Sequence, residues 1–477
     1  MVETRRKQPT FNNTAHSEDS GGERFHAVVI GGGFAGASAA SALAEAGVAV
    51  TLIEERATLG GRTSSFKDGV TKQDVDNGQH LLMGAYRDTR TFLRRLRVEN
   101  RIRFSKSLRI PFINRLGKKS ILEPRLFSGN IGLAGGVVFF SELTVKDRLS
   151  LLWGLTRSRI ASTRRVSDLT VSQWLSYLGQ TPGARRAFWD PLCLATLNEH
   201  TDQAAAASLL IVLKECLFAK GDSRSLGHAT LSLNRLWSME LGPYLQRAEG
   251  RLALRQKATG FNVEGNRVTS VGIYGDEPVK ADIFILATSL HAALRIIPVP
   301  LSAAMAPLIN HPHSPIVAIN FWFKKTPFQE PLIGLLDLNL QWVFNRETLW
   351  GPTASGQISA VISAANSYEN RSSTELIEMA REDLRRAFPD FKEEPFHASV
   401  LWERHATPTP TPLFHRSRPK VQTSLTNFFL AGDWVDVGLP PTIEAATRSG
   451  HQAAALALAH LTPSGSARHE AKECVPC

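Results

Sequence analysis

Residues 25–54 read FHAVVIGGGFAGASAASALAEAGVAVTLIE, and this stretch decides the fold. A short β-branched run leads into GGGFAG at residues 31–36, which fits the pattern G-x-G-x-x-G. An alanine-rich helical pattern follows and ends at Gly47, and a second strand pattern stops at Glu54. The order strand, glycine turn, helix, strand and acid predicts a Rossmann-type α/β unit.

Each part of this unit has a physical role in holding a dinucleotide. Gly31 allows a tight turn, Gly33 lets the backbone approach a pyrophosphate, and Gly36 lets the helix pack close to the sheet. The N–H groups at the helix N-terminus attract phosphate, and Glu54 can accept hydrogen bonds from ribose hydroxyls. The sequence therefore predicts a dinucleotide site at this turn.

The composition is that of a globular chain with several domains. The 477 residues are 43% apolar and 21% charged, which excludes a wholly disordered, collagenous or coiled-coil protein. The longest apolar runs are too short to cross a bilayer. Residues 1–24 have no apolar core, so we expect a disordered leader rather than a signal peptide, and residues 463–477 read as a flexible tail.

The four cysteines do not form a disulfide framework, which favours a reducing, cytoplasmic compartment. Cys193 and Cys216 each lie in an apolar stretch and are expected to be buried thiols. Cys474 and Cys477 have no second Cys or His pair beside them, so no metal site is predicted.

Two further motifs favour FAD over NAD. Residues 56–62 read RATLGGR, in which two glycines give another close backbone approach and Arg62 places a cation near the diphosphate. Residues 428–434 read FFLAGDW, a strand that runs into Gly-Asp. Together these motifs resemble those of the flavin amine oxidase and carotenoid desaturase superfamily. The resemblance implies that Asp433 contacts the ribityl or phosphate part of FAD. It also implies that the helix opening after Pro440-Pro441 points its positive N-terminus at the flavin pyrimidine ring.

The predicted FAD contacts come from these motifs and from the stretch after residue 75. They are Gly31, Gly33, Phe34, Ala35, Gly36, Glu54, Glu55, Arg56, Gly60, Gly61, Arg62, Gly78, Gln79, His80, Gly432, Asp433, Thr442 and Ile443.

The same resemblance divides the chain into an FAD-binding domain of GR2-like amine oxidase topology and an interleaved α+β substrate domain. The FAD-binding segments are expected at 25–100, 231–290 and 421–462. The substrate-domain segments are expected at 101–230 and 291–420.

Two longer strings narrow the resemblance. VDNGQHLLMGAY at residues 75–86 and FWDPLCLATLN at residues 188–198 look like the squalene-associated FAD-dependent desaturases, understood as hydroxysqualene dehydroxylases of hopanoid biosynthesis. The resemblance implies reduction of hydroxysqualene to squalene. An acid helps the hydroxyl to leave, and hydride passes from the reduced flavin to the allylic carbon. An apolar isoprenoid is then the substrate, and the electron donor stays unidentified.

Four residues are candidates for the acid. Asp76 and His80 flank the stretch that passes the flavin ring in this superfamily, and a histidine pKa suits acid–base work near neutral pH. Asp190 and Glu199 bracket the second string. Alternative roles remain open at this stage: His80 could pack structurally or only hydrogen-bond the flavin, and Asp190, which precedes a proline, could cap a turn.

Three other functions share parts of this pattern. A carotenoid or phytoene desaturase has the same fold and Gly-Asp motif but oxidises its substrate. Amine oxidases usually carry Gly-Thr/Ser-Glu where this chain has Gly432-Asp433. Rab GDP-dissociation inhibitors use the topology to carry prenyl groups without FAD, but the complete set of flavin motifs argues against such a carrier.

The positive charge is concentrated in one block. Residues 101–165 hold 14 Lys and Arg against three acids, a net +11 that equals the formal charge of the whole chain. No nucleic-acid-binding module is evident, so we exclude nucleic acid as a partner. Two readings remain: a solvated face of the substrate domain, or peripheral docking on an anionic membrane, here the inner face of the cytoplasmic membrane.

Overall fold

The computed structural model describes residues 24–124 and 129–462. The predicted leader (1–24, apart from Arg24), the predicted tail (463–477) and the pair Cys474 and Cys477 lie outside the described residues.

A five-stranded parallel sheet carries the glycine turn. In spatial order its strands are β10 (Arg251–Leu254), β2 (Ala49–Glu54), β1 (His26–Ile30), β14 (Ile283–Leu286) and β20 (Phe428–Leu430). Most of their residues are buried, as expected for parallel strands covered on both faces. Helix α1 (Phe34–Glu45) follows the turn and packs on α16 (Ile443–Leu461). Gly450 of α16 lies so close to the Ala35 carbonyl that no side chain would fit there.

A seven-stranded sheet forms the second part of the molecule. In spatial order its strands are β19 (His397–Pro408), β15 (His313–Trp322), β18 (Gln357–Ile362), β17 (Trp342–Asn345), β16 (Leu332–Leu336), β7 (Ile110–Asn114) and β8 (Lys119–Leu122). All neighbouring pairs are antiparallel except β16 and β7. One face packs against α14 (Ser373–Ala387) and forms an apolar core around Ile319 and Leu376. The other face looks toward the parallel sheet and the cavity described below.

Three small antiparallel sheets complete the strands. They are β11 (Ala258–Glu264), β12 (Arg267–Ile273) and β13 (Asp276–Lys280); β3 (Ser65–Lys67) and β4 (Asp74–Asp76); and β5 (Leu81–Met83), β9 (Leu226–Ala229) and β6 (Ile102–Phe104).

The helices between residues 129 and 212 build a second apolar core around Trp174 and Trp189. The full set of remaining helices is α2 (Arg87–Arg95), α3 (Gly129–Phe139), α4 (Val145–Ile160), α5 (Val171–Tyr177), α6 (Pro182–Ala184), α7 (Asp190–Leu197), α8 (Ala206–Val212), α9 (Leu233–Leu236), α10 (Ser238–Arg247), α11 (Leu290–Ile296), α12 (Ser302–Met305), α13 (Arg346–Trp350) and α15 (Pro412–Ser417). Two π-helical turns, Arg185–Trp189 and Leu213–Leu217, adjoin α7 and α8.

The predicted fold class is confirmed: an α/β domain with a Rossmann-type parallel sheet is joined to an interleaved α+β part. The strands of the parallel sheet come from three separated stretches of sequence. Strand β14 pairs with β1, and β20 pairs with β14. Within the described residues, no helix combines the length and the apolar character needed to span a bilayer.

Candidate active site

The glycine turn forms a cradle of backbone. Gly31 has a φ of +108°, and a Cβ there would lie 2.6 Å from the carbonyl oxygen of Ala287. A Cβ on Gly36 would overlap the carbonyl oxygen of Gly31, which explains why helix and turn can approach so closely. Gly33 caps α1 without a side chain, and a Cβ on it would meet nothing within 4 Å. The first turn of α1 therefore presents its backbone N–H groups to open space, as a phosphate site requires.

Glu54 braces this turn at the end of β2. One carboxylate oxygen accepts a 2.6 Å hydrogen bond from the Gly32 N–H, and the other accepts a 2.8 Å bond from the Arg56 N–H. The predicted ribose-binding carboxylate thus also holds the backbone on both sides of the cradle. Glu54, Glu55 and Arg56 all line the same cavity, and Arg56 donates a 3.1 Å bond to the Gly61 carbonyl.

Arg62 and Asp433 form a two-pronged ion pair that joins the second and the C-terminal motifs. The guanidinium donates to the two carboxylate oxygens at 2.9 and 2.6 Å, and to the Ala406 carbonyl at 2.8 Å. Burial alone would lower the pKa of Arg62, but the charge of Asp433 and the hydrogen bonds to it outweigh that effect and raise the pKa. Both side chains line the cavity, with the Gly432 N–H anchored on Ser449 Oγ at 2.7 Å.

Helix α16 points its N-terminus into the same cavity. Thr442 caps it by accepting a 3.1 Å hydrogen bond from the Ala445 N–H, and Thr442 and Ile443 line the cavity wall. Glu444, which also lines the cavity, accepts hydrogen bonds from the Asp88 and Thr89 N–H groups and so fixes α2 to α16. The long helix therefore directs the positive end of its dipole toward the cavity.

Gln79 provides the test of whether a flavin fits. Its side-chain oxygen and nitrogen are both buried and have no hydrogen-bond partner in the protein, although the residue lines the cavity. Buried amides are normally satisfied, so this pair of atoms calls for a ligand with both a donor and an acceptor. The pyrimidine and pyrazine edges of a flavin offer such groups. Together with the phosphate cradle and Arg62, the residues present fit FAD.

Of the two predicted catalytic residues, His80 and Asp76, the structure gives only His80 access to the cavity. His80 lines the cavity close to the backbone of Arg62. Burial lowers the pKa of His80 below its ordinary value, although the nearby charge of Asp76 opposes the shift. Asp76 does not line the cavity. It forms a 2.7 Å ion pair with Arg346, and the two side chains are only 2% and 1% exposed.

Asp190 and Glu199 lie on the opposite side of α7 from the main cavity. They line a separate small pocket with His200. Thr201 donates a 3.2 Å hydrogen bond to Asp190, and burial raises the pKa of that carboxyl. Glu199 accepts hydrogen bonds from the His200 N–H and from Ser314 Oγ. Neither carboxyl group is placed to reach a substrate beside the flavin site.

The FAD site opens into an apolar chamber, and together they form one cavity of about 690 Å³. Residues 188–198 form one wall of the chamber. Leu194, Ala195 and Leu197 of α7 line the chamber, whereas Cys193 is buried on the side of α7 away from it. Asn198 ends this helix in a left-handed conformation, and its side-chain amide donates a 2.9 Å hydrogen bond to the Ser314 carbonyl. Other apolar lining residues are Leu108, Ile110, Phe112, Leu122, Leu133, Phe188, Ile211, Leu213, Leu217, Ile316, Leu332, Trp342, Phe344 and Val361.

Several lining residues were not predicted from the sequence. Glu403 of β19 faces the cavity beside Asn77, whose side chain lies 3.4 Å from its carboxylate. Tyr86 and Cys216 share one corner, where burial raises the pKa of the Cys216 thiol to about 12. Cys216 is therefore a half-buried cavity residue rather than the fully buried thiol expected, whereas Cys193 is buried as expected. The alternating pattern of residues 397–408 could have indicated an inward-facing Glu403.

Comparison with known proteins places the chain among flavoproteins. The sequence model of the family described as flavin containing amine oxidoreductase matches residues 34–458. A hydroxysqualene dehydroxylase of Zymomonas mobilis is 28% identical over 442 residues, covering 91% of this chain and 99% of that protein. A hydroxysqualene dehydroxylase of Rhodopseudomonas palustris is 27% identical, covering 90% and 98%. A 15-cis-phytoene desaturase of Narcissus pseudonarcissus is 22% identical, covering 89% and 77%.

Solved structures share the fold over nearly the whole chain. An oxidoreductase from Methanosarcina mazei superimposes with a TM-score of 0.71 at 16% identity, covering 90% of this chain and 99% of that one. Cyclohexylamine oxidase from Brevibacterium oxydans gives a TM-score of 0.67 at 17% identity, covering 91% and 99%. At these identities the likeness establishes the architecture.

Proposed function

Because this chain belongs to the flavin containing amine oxidoreductase family and is an FAD-dependent oxidoreductase, we propose that it reduces hydroxysqualene to squalene. One observation carries the proposal: the FAD cradle opens into a chamber with apolar walls, as a hydrocarbon substrate requires. The similarity to hydroxysqualene dehydroxylases over about nine-tenths of the chain supports this substrate over others.

The protein orients the substrate, excludes water from the reacting carbon and donates a proton. Bound reduced FAD supplies a hydride. The leucine, phenylalanine and tryptophan side chains of the chamber hold the hydrocarbon and keep water from the allylic carbon once its C–O bond breaks. The oxygen must take a proton as it leaves, so one hydride and one proton convert the alcohol to the hydrocarbon and water.

We assign that proton to His80. His80 lines the cavity, so a ring nitrogen can face a group bound there. The imidazolium form can donate from that nitrogen to the hydroxyl of the substrate. Its lowered pKa makes it a strong acid, and its population falls as the pH rises above that pKa.

Product analysis tests the function. Protein loaded with FAD is reduced chemically and incubated with hydroxysqualene, and the products are identified by mass spectrometry. Squalene, formed in proportion to enzyme, is the expected result. A parallel incubation of the oxidised protein with phytoene tests the alternative, a desaturase. This alternative is supported by the 22% identity to a 15-cis-phytoene desaturase. Desaturation of phytoene without formation of squalene would overturn the proposal.

A substitution tests the role of His80. His80→Gln should lower turnover by about 10²-fold or more and abolish its decline with rising pH, while the FAD content stays near that of the wild type. His311→Gln is the matched control, because the half-buried His311 stacks on Phe414 away from the cavity. Unchanged turnover of His80→Gln with FAD bound would remove His80 from the mechanism.

We also propose that the surface of α3 and α4 docks on an anionic membrane. Val145, Leu149, Trp153 and Ile160 are each more than half exposed along one side of α4. Basic side chains flank them, with Arg157 stacked over Trp153 at 5.5 Å. The one acid of α4, Asp147, accepts hydrogen bonds from Thr144 and Thr181 and is outnumbered by the basic side chains Lys146, Arg148, Arg157 and Arg159.

This surface adjoins the chamber. Leu133 of α3 lines the chamber, while Val138 and Phe139 at the end of the same helix are exposed. Exposed apolar anchors with basic neighbours bind anionic bilayers. Sedimentation with anionic vesicles should fall at high salt and in Leu149→Ala/Trp153→Ala, but not in the control Tyr274→Ala, an exposed aromatic in the turn between β12 and β13. Equal binding to neutral vesicles would contradict the electrostatic part.

A further inference from the structure

The chamber extends across the seven-stranded sheet. Residues on the cavity side of neighbouring strands form a row with one diagonal step. On β19 and β15, Glu403 lies opposite Ile316. The row then steps diagonally to Val361 on β18, whose direct partner on β15 is Ala318, and continues through the directly opposite residues Trp342, Gly334 and Phe112. All residues of the row except Gly334 line the cavity. From β19 to β7 the row crosses five strand spacings, about 24 Å, and β8 adds a sixth.

Gly334 is the one position in this row without a side chain, and the reason is local. A Cβ on Gly334 would lie 2.5 Å from Phe112 Cδ1 and 3.1 Å from Trp342 Cζ3. The two rings lean over the glycine from both sides, with centroids 5.9 Å apart. The backbone of Gly334 is not in the left-handed region. Glycine is therefore needed at this position because the two rings leave no space for a side chain.

We propose that Gly334 is a specificity-determining position that keeps the chamber open for long isoprenoid chains. With no Cβ beneath them, the rings of Phe112 and Trp342 can lie low on the sheet. A methyl group at this position would lift both rings into the chamber and separate the part near FAD from the part lined by Ile110 and Leu122. The proposal rests on the proposed function, because it takes the occupant to be an isoprenoid.

Chain length makes the proposal quantitative. At about 1.25 Å per bond, the extended backbone of a C30 isoprenoid such as squalene is about 29 Å long, and that of a C15 isoprenoid is about 14 Å long. The longer chain matches the full width of the sheet from β19 to β8, about 29 Å, and must pass over Gly334. The shorter chain fits on one side of it.

The test compares Gly334→Ala with Gly227→Ala in FAD-loaded protein. Gly227 of β9 is a matched control because a Cβ there would lie 2.5 Å from a Phe104 ring carbon, and neither residue lines the chamber. Binding is measured by equilibrium partition of radiolabelled squalene and of the C15 hydrocarbon farnesene. We expect Gly334→Ala to weaken squalene binding at least tenfold and farnesene binding less than twofold, and Gly227→Ala to change neither.

A second variant separates crowding from misfolding. Gly334→Ala/Trp342→Leu removes one of the displaced rings and should restore squalene binding to within threefold of wild type. Equal losses for both hydrocarbons, unchanged squalene binding in Gly334→Ala, or failure of the double variant to recover would overturn the proposal. Wild-type protein that binds neither hydrocarbon would overturn the proposed function as well, which distinguishes the two failures.

Discussion

The buried ion pair between Asp76 and Arg346 allows a direct test of whether Asp76 is structural or catalytic. The carboxylate oxygen and the guanidinium nitrogen are 2.7 Å apart, and the side chains are 2% and 1% exposed. The second carboxylate oxygen accepts hydrogen bonds from Ser65 Oγ at 2.6 Å and the Leu233 N–H at 3.1 Å. The pair therefore ties the FAD-binding region to α13 of the substrate region.

Asp76→Asn keeps the shape of the side chain but removes its charge. Burial already lowers the pKa of Arg346 despite the opposing charge of Asp76, so the guanidinium would be left charged and uncompensated in the interior. Breaking a buried pair in this way costs about 3–5 kcal/mol in the free energy of unfolding. With a urea dependence of about 3 kcal/mol per M, the unfolding midpoint should fall by about 1–1.7 M.

The assay follows urea unfolding of FAD-saturated protein by tryptophan fluorescence, with turnover per bound flavin measured on the same samples. Asp76→Asn should lower the midpoint and leave turnover per flavin within about threefold of wild type. In an Arg346→Met background the same change should cost less than about 1 kcal/mol, because no buried charge is then left unpaired. A normal midpoint with turnover reduced a hundredfold would refute the structural assignment and make Asp76 the acid.

Two further predictions concern the cofactor cradle and the acid sensitivity of the fold. Gly36→Val should abolish FAD binding, because the valine side chain would overlap the Gly31 carbonyl. The loss would be measured as loss of flavin absorbance in the purified protein. An FAD content equal to that of the wild type would contradict the assignment of this turn to the FAD site. Burial and the nearby charge of Arg103 lower the pKa of His228 to about 4, so the unfolded chain takes up this proton at higher pH than the folded one. The contribution of His228 to the free energy of unfolding is thus fully present above about pH 6.5, and it falls by up to about 3 kcal/mol toward pH 4. The variant His228→Gln should therefore show a smaller decrease of the urea midpoint over this pH range.

The fold of the cofactor region could be predicted because its motifs are contiguous. Strand, turn and helix follow one another within residues 25–54, and each glycine acts through the local backbone. The C-terminal helix was predicted from Pro440-Pro441-Thr442, and the structure begins it at Ile443 with Thr442 as its cap. FAD follows from the same kind of information, since the backbone that binds phosphate is specified by neighbours in sequence.

A local contact also sets the boundary between two neighbouring strands. Strand β13 ends at Lys280, and β14 begins at Ile283. Asp282 separates them because its carboxylate accepts a 2.8 Å bond from the His26 N–H while its own N–H bonds the His26 carbonyl. An apolar pattern cannot reveal that a polar residue is used to join two strands.

The substrate region could not be derived in the same way, because its walls depend on long-range pairing. Asp76 meets Arg346 across 270 positions of sequence, and Phe112 meets Gly334 only through the parallel contact of β7 with β16. A pattern of alternation predicts that a residue faces one side of a strand, but not which strand lies beside it. The cofactor is thus specified by backbone geometry within short motifs, whereas the substrate is specified by side-chain size at positions that register brings together. Substitutions that distinguish a C30 isoprenoid from other substrates should therefore lie on the cavity face of the seven-stranded sheet, and changes in the glycine motifs should alter FAD content without altering preference among chain lengths.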